Sequence, residues 1–157
     1  MSGATRATRF LKQSGVPFST HTYEYDPAAD SVGLQAAAAL GESPARVLKT
    51  LLTLVDGRPA CVILPSDREV LMKKLAAALG GKAAAMMKPA DAERTTGYKV
   101  GGISPFGQTK KLPVVFEADA LVHDAVYMNG GQRGLQVRLD PREAVRLLGA
   151  VVAAVTA

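Results

Sequence analysis

Residues 47–64 read VLKTLLTLVDGRPACVIL, and this stretch decides the expected fold. Residues 47–55 and 60–64 are apolar runs, and the pair Asp56-Gly57 lies between them. An Asp-Gly pair flanked by two apolar runs is the strongest short-range signal for a β-hairpin. Because both runs are apolar on both faces, they are typical of strands that are covered on each side. The sequence therefore predicts a hairpin at the centre of a sheet.

Helices and strands alternate on both sides of this hairpin. The next helix is expected to begin at Ser66, because Glu69 three residues later completes a capping box, and to end at Gly80. Alternating elements with hairpins among them predict an α/β fold with a mixed sheet, and we expect one domain over residues 1–157. The other expected helices are 5–14, 34–40, 89–94 and 140–148, and the other expected strands are 18–25, 113–117, 125–128, 135–139 and 151–155.

The composition is that of a globular protein with no membrane segment. Of the 157 residues, 48% are hydrophobic and 21% are charged, and the longest apolar stretches are too short to span a bilayer. The first twelve residues lack the apolar core of a secretory signal. Cys61 is the single cysteine, so an internal disulfide framework is excluded and a reducing cytoplasm is expected.

The charge of the chain allows a polyanionic partner without requiring one. The formal net charge is +5, whereas aromatic residues make up only 5% and tryptophan is missing. A basic balance favours contact with a nucleic-acid backbone, but many basic proteins bind no nucleic acid. The low aromatic content argues against stacking along a single strand.

Lys49 is unusual because it interrupts an apolar strand. Side chains of a strand alternate between faces, so Lys49 shares its face with Val47, Leu51 and Val55. An ammonium group on such a face is costly unless it has a partner. It is either a pocket lysine that holds a phosphate or carbonyl oxygen, or an edge-strand lysine that reaches water. The residues alone leave both interpretations open.

The segment 97–111 is expected to be a functional loop. It contains four glycines and few core-forming residues, and a loop of this length inside a compact domain usually carries function. Its backbone amides could stabilise an oxyanion or receive a phosphate. Alternatively, the glycines only serve turns that need positive φ. The turn at Gly130 and Gly131, followed by Arg133, allows the same two interpretations.

No side chain is well placed to act as a nucleophile or metal ligand. Ser104 lies in GISPF, which misses the nucleophile-elbow pattern because Phe106 replaces a glycine. His21 and His123 lack a context that marks either one as a base, and Cys61 is expected in the core. Two distant histidines and one cysteine give no metal-ligand spacing, and the glycine motifs of nucleotide-binding folds are missing. We therefore expect no cofactor.

Four segments together resemble the bacterial YbaK-type deacylases. They are HTYEYDP (21–27), VLKTL (47–51), TGYKVGGISPFGQ (96–108) and GGQRGL (130–135), in this order over nearly the whole chain. The resemblance implies a mixed, barrel-like sheet surrounded by helices. It also implies an enzyme that clears cysteine from Cys-tRNA(Pro) or Cys-tRNA(Cys), acting in trans beside prolyl-tRNA synthetase. The implied partners are therefore aminoacyl-tRNA and this synthetase.

The resemblance also assigns roles to residues. It places catalysis at Lys49, Gly101 and Gly102, and substrate binding at Tyr23, Thr50, Ile103, Ser104, Gly130, Gly131, Arg133 and Gln136. Two positions depart from the family pattern: Tyr25 stands where the family has histidine, and Gln136 stands where relatives can carry an acid.

The resemblance also implies how such a protein works without a nucleophile of its own, because the substrate supplies one. The thiolate of a cysteinyl ester can attack the neighbouring carbonyl and leave as a cyclic thiolactone, so the protein needs only to orient the ester and stabilise charge. Two alternatives stay open. One is a deacylase that uses water on Ala-tRNA(Pro) or another small amino acid, because a single sequence does not reveal pocket volume. The other is a noncatalytic module that binds aminoacyl-tRNA.

Overall fold

The computed structural model describes residues 4–29 and 31–157. In these ranges the α-helices are α1 (Arg6–Ser14), α2 (Val32–Leu40), α3 (Met72–Ala78), α4 (Pro89–Thr96) and α5 (Pro141–Leu148), and a 3₁₀ helix covers Ala118–Val122. The strands are β1 (Ser19–Thr22), β2 (Leu48–Val55), β3 (Arg58–Pro65), β4 (Ala84–Met86), β5 (Val114–Glu117), β6 (Val126–Asn129), β7 (Leu135–Leu139) and β8 (Val151–Ala153). No helix of this part of the chain is long and apolar enough to cross a membrane.

The strands form two open sheets. One has the order β4-β2-β3-β5-β8 and mixes antiparallel with parallel pairs, and the other has the antiparallel order β1-β7-β6. A parallel bridge between Val47 and Tyr127 joins them, and the Tyr127 N–H donates to the Arg46 carbonyl at 2.8 Å. The predicted α/β class with a mixed sheet and surrounding helices is confirmed. The strands do not close into one barrel.

The β2–β3 hairpin is the centre of the larger sheet, as the sequence predicts. Asp56 and Gly57 both have positive φ, 49° and 79°, which is the two-residue turn that matches the twist of a hairpin. Leu48 and Leu52 pack into one hydrophobic core, whereas Val55 packs into a second core on the other face of the sheet. Both faces of the hairpin are therefore covered.

The helix predicted to begin at Ser66 begins six residues later, at Met72. The Ser66 hydroxyl does not cap a helix but donates to the Pro44 carbonyl at 3.1 Å, and the Ser66 N–H donates to Val47. Val70 forms a bridge with Thr156 instead of a helical turn. The capping-box prediction was wrong because long-range hydrogen bonds occupy this segment, and tertiary contacts override local preference.

Candidate functional site

A cavity of about 460 Å³ lies where the two sheets meet the loop that follows α4. Its walls come from β2, from the loop near Gly101, from the ends of β6 and β7 and from the first turn of α2. Of the residues predicted to form the site, the cavity brings together Lys49, Thr50, Gly101, Ile103 and Gln136. We call this space the site cavity.

Lys49 reaches the site cavity from β2, and its side chain is 20% exposed. Its Nζ lies 3.9 Å from a carboxylate oxygen of Glu69, whose own side chain is 90% exposed. An ion pair at that distance, with a partner exposed to solvent, contributes little to the free energy of folding. The ammonium group therefore keeps most of its capacity to bind an anion or a carbonyl oxygen.

The backbone of β2 is also open at the site cavity. β4 pairs with this edge of β2 only at Thr53–Val55, and the smaller sheet meets the same edge farther along, at Val47. The β2–β3 register directs the N–H and C=O of Thr50 away from β3. Among the described residues, no strand pairs with this edge at Thr50. The edge therefore offers one donor and one acceptor beside the Lys49 side chain.

Gln136 presents a buried acceptor that has no donor. The residue is 2% exposed, and its Oε1 makes no hydrogen bond within the described residues; the Thr50 hydroxyl is buried without a partner in the same way. A buried polar atom without a partner costs about 1–3 kcal/mol. By contrast, the neighbouring Asn129 is satisfied, because its amide donates to Gly101 and its oxygen accepts from Gly131. The unpartnered atoms of Gln136 and Thr50 are therefore suited to a polar ligand.

Gly101 is held in a conformation that favours glycine. Its φ is 91°, and a β-carbon there would lie 2.7 Å from the Tyr25 hydroxyl. The Arg133 guanidinium stacks 5.5 Å from the centre of the Tyr25 ring, and its Nε donates to the Val100 carbonyl at 2.9 Å. Together with the Asn129 amide on the Gly101 carbonyl, these contacts fix the loop against the cavity. Tyr25, one of the two departures from the family pattern, is therefore part of this support.

The aminoacyl-tRNA editing domain family matches residues 26–147. The chain belongs to this family. It is 34% identical over 97% of its length, and 93% of the other protein, to the "Putative Cys-tRNA(Pro)/Cys-tRNA(Cys) deacylase EbsC" of Enterococcus faecalis. It is 29% identical, over 90% of this chain and 86% of the other, to the multifunctional Ser/Thr-tRNA deacylase ProXp-y of Escherichia coli K12. The crystal structure of hypothetical protein APE2540 superimposes with a TM-score of 0.86 at 29% identity, covering 97% of this chain and 99% of that one.

The structure places other predicted residues of the editing domain outside the site cavity. The Gly102 N–H donates to the Lys99 carbonyl at 2.8 Å, so it is not available there, and Gly102 faces a second cavity with Gly131 and Arg133. Gly130 closes the β6–β7 hairpin, because its N–H donates to the Leu135 carbonyl. The expected pair of amides at Gly101 and Gly102 is therefore divided between two cavities.

Ser104 and Tyr23 also lie away from the walls of the site cavity. Ser104 is fully buried, and its hydroxyl accepts from the Phe106 N–H at 3.1 Å, which makes it part of a turn. Tyr23 packs beneath α2, where burial, and secondarily the neighbouring Tyr25, raise the pKa of its phenol. Its hydroxyl oxygen is buried and has no hydrogen-bond partner among the described residues. The β1–β7 register places Tyr23 on the same face of the sheet as Gln136.

Among the described residues of the editing domain, no cysteine or histidine that could act as a nucleophile or as its base lines the site cavity. Burial raises the pKa of the Cys61 thiol to about 11, with a weaker opposing effect from Gln108, and the residue is 1% exposed. The His21 ring contacts the Ser19 hydroxyl at 2.8 Å and packs edge-on to Tyr127. His123 follows the 3₁₀ helix. Neither histidine lines the cavity. In the described ranges, no three histidine, cysteine or acidic side chains cluster in a way that could hold a metal ion.

Sequence reasoning missed Asn129 and the start of α2 as parts of the site. Asn129 precedes two glycines, so the sequence indicates only a turn there. In the structure its side chain hydrogen-bonds both the loop at Gly101 and the turn at Gly131. Gly33 lets α2 approach closely, since a β-carbon there would lie 2.6 Å from the Ser66 β-carbon. Both contacts join segments distant in sequence, so no local pattern indicates them.

Proposed function

We propose that this editing domain deacylates Cys-tRNA(Pro), and Cys-tRNA(Cys) as a second substrate. The observation that carries the proposal is the site cavity itself. It combines one weakly paired ammonium group, a fixed glycine and unpartnered buried acceptors, and the described residues on its walls include no cysteine or histidine. The relative named for Cys-tRNA(Pro) and Cys-tRNA(Cys) deacylation supports the same substrate, since it matches nearly the whole chain.

The chemistry follows from a substrate that carries its own nucleophile. The cysteinyl thiolate attacks the carbonyl carbon of its own ester, so a C–S bond forms and the C–O bond to the terminal ribose breaks. The ribose oxygen leaves and takes up a proton, and the amino acid departs as a cyclic thiolactone that water opens to cysteine. Such a reaction requires orientation and charge stabilisation from the protein rather than a protein nucleophile.

Lys49 and Gly101 supply that stabilisation. The Lys49 ammonium binds oxygens of the terminal adenosine or of the ester, where negative charge develops during attack. The Gly101 N–H donates to no acceptor within the described residues, and it is offered to the carbonyl oxygen. Removal of one such donor typically slows catalysis by about 10²–10³-fold. The Gly102 N–H does not take this role, because it donates to the Lys99 carbonyl within a turn.

Gln136 and Thr50 recognise the polar part of the amino acid. The Gln136 Oε1 accepts a hydrogen bond from the substrate's α-ammonium group, and the Thr50 hydroxyl and strand edge bind further polar atoms. The support is that both side-chain oxygens are buried and unpartnered in the structure. A glutamine performs this role without the negative charge that an acid would bring to this position.

A second candidate is deacylation of another small amino acid by water. The relative named as a Ser/Thr-tRNA deacylase favours it, at 29% identity over 90% of this chain. The buried acceptors that suit an α-ammonium group also suit a side-chain hydroxyl. Ala-tRNA(Pro) belongs to the same candidate, because a methylene or hydroxyl difference is only weakly discriminated by an apolar pocket.

A panel of charged tRNAs separates these candidates. Purified protein is incubated with Cys-tRNA(Pro), Cys-tRNA(Cys), Ser-tRNA, Thr-tRNA and Ala-tRNA(Pro), and the loss of ester is followed by acid precipitation. The thiol mechanism predicts that both cysteinyl substrates are cleaved faster than their seryl counterparts. Equal rates for Cys-tRNA and Ser-tRNA contradict it. Binding of every substrate without turnover indicates a noncatalytic module.

The reaction is proposed to take place in the cytoplasm, where tRNAs are charged, and beside prolyl-tRNA synthetase. The family resemblance supports the synthetase as partner, because it implies correction of an error made by that enzyme. Addition of the synthetase is expected to raise the preference for tRNA(Pro) over other cysteinyl-tRNAs. A sharp preference for one tRNA body by the isolated protein at physiological salt removes the need for this partner.

A further inference from the structure

A second cavity lies on the other side of the glycine segment that borders the site cavity. Its volume is about 380 Å³, and its walls include Tyr98, Lys99, Gly102, Gly131, Gln132 and Arg133. Gly101 faces the site cavity and Gly102 faces this second space, so consecutive residues form the two sides of one wall. We call the second space the basic cleft.

Cations from three segments surround the basic cleft. Lys99 and Arg133 line it and are exposed. The Arg6 guanidinium, from the start of α1, lies against Gly97 at its margin. Burial raises the pKa of Tyr98 to about 12, against the opposing charges of Arg6 and Arg9. Both arginines of α1 are therefore close enough to Tyr98, which lines the cleft, to influence its pKa.

These cations are not neutralised by the protein. Within residues 4–29 and 31–157, none of Arg6, Arg9, Lys99 and Arg133 forms an ion pair with a carboxylate. The Arg133 Nε donates to a backbone carbonyl, which leaves its two terminal nitrogens available. Unpaired cations around glycine backbone favour a ligand with several negative charges, such as a phosphodiester chain.

We propose that the basic cleft binds the phosphodiester backbone of the acceptor strand next to the aminoacylated end. The inference rests on the proposed function, which places the ester in the site cavity and so brings the adjoining strand to the Gly101–Gly102 wall. The cleft holds the strand by its phosphates, and the site cavity reads the amino acid. Charge neutralisation of this kind carries affinity without base specificity.

The test uses an uncharged RNA hairpin with the acceptor stem and CCA end of tRNA(Pro). Its Kd is measured by fluorescence anisotropy over a range of salt concentrations, for the wild type and for the double variant Lys99→Gln/Arg6→Gln. The matched control is Lys110→Gln/Lys111→Gln, which removes the same charge from exposed positions of the same loop, outside the cleft. Circular dichroism melts show whether each variant is folded.

The Lys99→Gln/Arg6→Gln variant is expected to bind the hairpin about tenfold more weakly than the control, with a log Kd against log salt slope smaller by about 1 per lost phosphate contact. In turnover, its KM for Cys-tRNA(Pro) rises while kcat is kept. Its rate on the cysteinyl ester of adenosine, which has no phosphate, is unchanged.

Equal Kd and equal salt slope for the double variant and the control overturn the proposal. The alternative ligand of the cleft is then an acidic protein surface. A fall in kcat on the adenosine ester also overturns it, because the cations then act on the site cavity itself. If the wild type cleaves no cysteinyl ester, the proposed deacylase function fails, whereas the hairpin measurement still reports whether the cleft binds RNA.

Discussion

Lys49 and Gln136 belong to different sheets, yet they line the same cavity. Lys49 comes from β2 of the five-stranded sheet and Gln136 from β7 of the three-stranded sheet. The bridge between Val47 and Tyr127 brings these sheets together two residues before Lys49. The candidate site therefore exists only when both sheets have formed, and neither sheet alone contains it.

Gln136→Leu is expected to separate stability from activity. No donor among the described residues reaches the buried Gln136 Oε1, so its replacement by an apolar side chain of similar size removes an unsatisfied group. The free energy of unfolding, measured in urea, is predicted to stay equal or rise by up to about 1 kcal/mol. The KM for Cys-tRNA is predicted to rise, because the α-ammonium group loses its acceptor. A marked loss of stability with unchanged kinetics contradicts a role in ligand binding.

Gly101→Ala is expected to abolish most activity. The φ of 91° is strained for alanine, and the new β-carbon would lie 2.7 Å from the Tyr25 hydroxyl, so either the Tyr25 side chain or the loop must shift from its position at the cavity. Gly15→Ala is the matched control. Its φ of 76° imposes comparable strain of about 1–2 kcal/mol, but no atom lies within 4 Å of the added carbon. Deacylation assays should show a loss for Gly101→Ala alone, and equal rates in the two variants would argue against the loop's role.

Cys61 is expected to be dispensable for catalysis. It is 1% exposed, and burial raises the pKa of its thiol to about 11, so the thiolate is scarce at neutral pH. Folded protein should resist alkylation by iodoacetamide at pH 8, and Cys61→Ala should deacylate Cys-tRNA at the wild-type rate. Loss of activity in a folded Cys61→Ala variant would instead make the protein, rather than the substrate, the source of the thiol.

Glu117 is expected to contribute stability that depends on pH. Its carboxylate is 1% exposed and accepts from the N–H groups of Asp119, Val155 and Thr156 and from the Thr156 hydroxyl. Burial acts to raise the pKa of Glu117, but these hydrogen bonds outweigh it and the pKa is lowered from 4.5. A lowered folded pKa gives stability that is complete above the unfolded pKa and is lost as pH falls through the folded value.

The variant Glu117→Gln should therefore be less stable than wild type by about 1–3 kcal/mol at pH 7, measured by urea unfolding. The difference should shrink as the pH falls below 4.5. Asp119→Asn is a control, because it removes an exposed carboxylate nearby. A stability difference that does not change with pH would show that the Glu117 charge is not the cause.

The sequence predicts those parts of the fold that are specified by residues close together in the chain. The Asp56-Gly57 turn and its flanking runs specify the hairpin without help from distant residues. The start of α3 and the strand β4 depend on partners elsewhere. Ser66 bonds to Pro44, and the alanine-rich Ala84–Met86 becomes a strand only because β2 pairs with it. Low β-propensity conceals such a strand until its partner is known.

The candidate site is predictable to a similar degree. The sequence alone indicates Lys49 as a site residue, because a charged side chain in an apolar strand is unusual. Which of Gly101 and Gly102 faces the cavity is not visible, because consecutive residues of a turn point to different sides. The roles of Asn129 and Tyr25 arise from contacts to the loop that join segments about 28 and 76 residues apart.

The most direct test of the central claim is the single-turnover deacylation of Cys-tRNA(Pro) by wild type, Lys49→Ala and Glu69→Ala. Glu69 is 90% exposed and pairs with Lys49 only at 3.9 Å, so its variant controls for surface charge. Loss of the ammonium group should lower the rate by about 100-fold or more in a protein that still melts cooperatively, while Glu69→Ala stays within about twofold of wild type. A folded Lys49→Ala protein that deacylates Cys-tRNA(Pro) at the wild-type rate would contradict the assignment of the site cavity as the catalytic site.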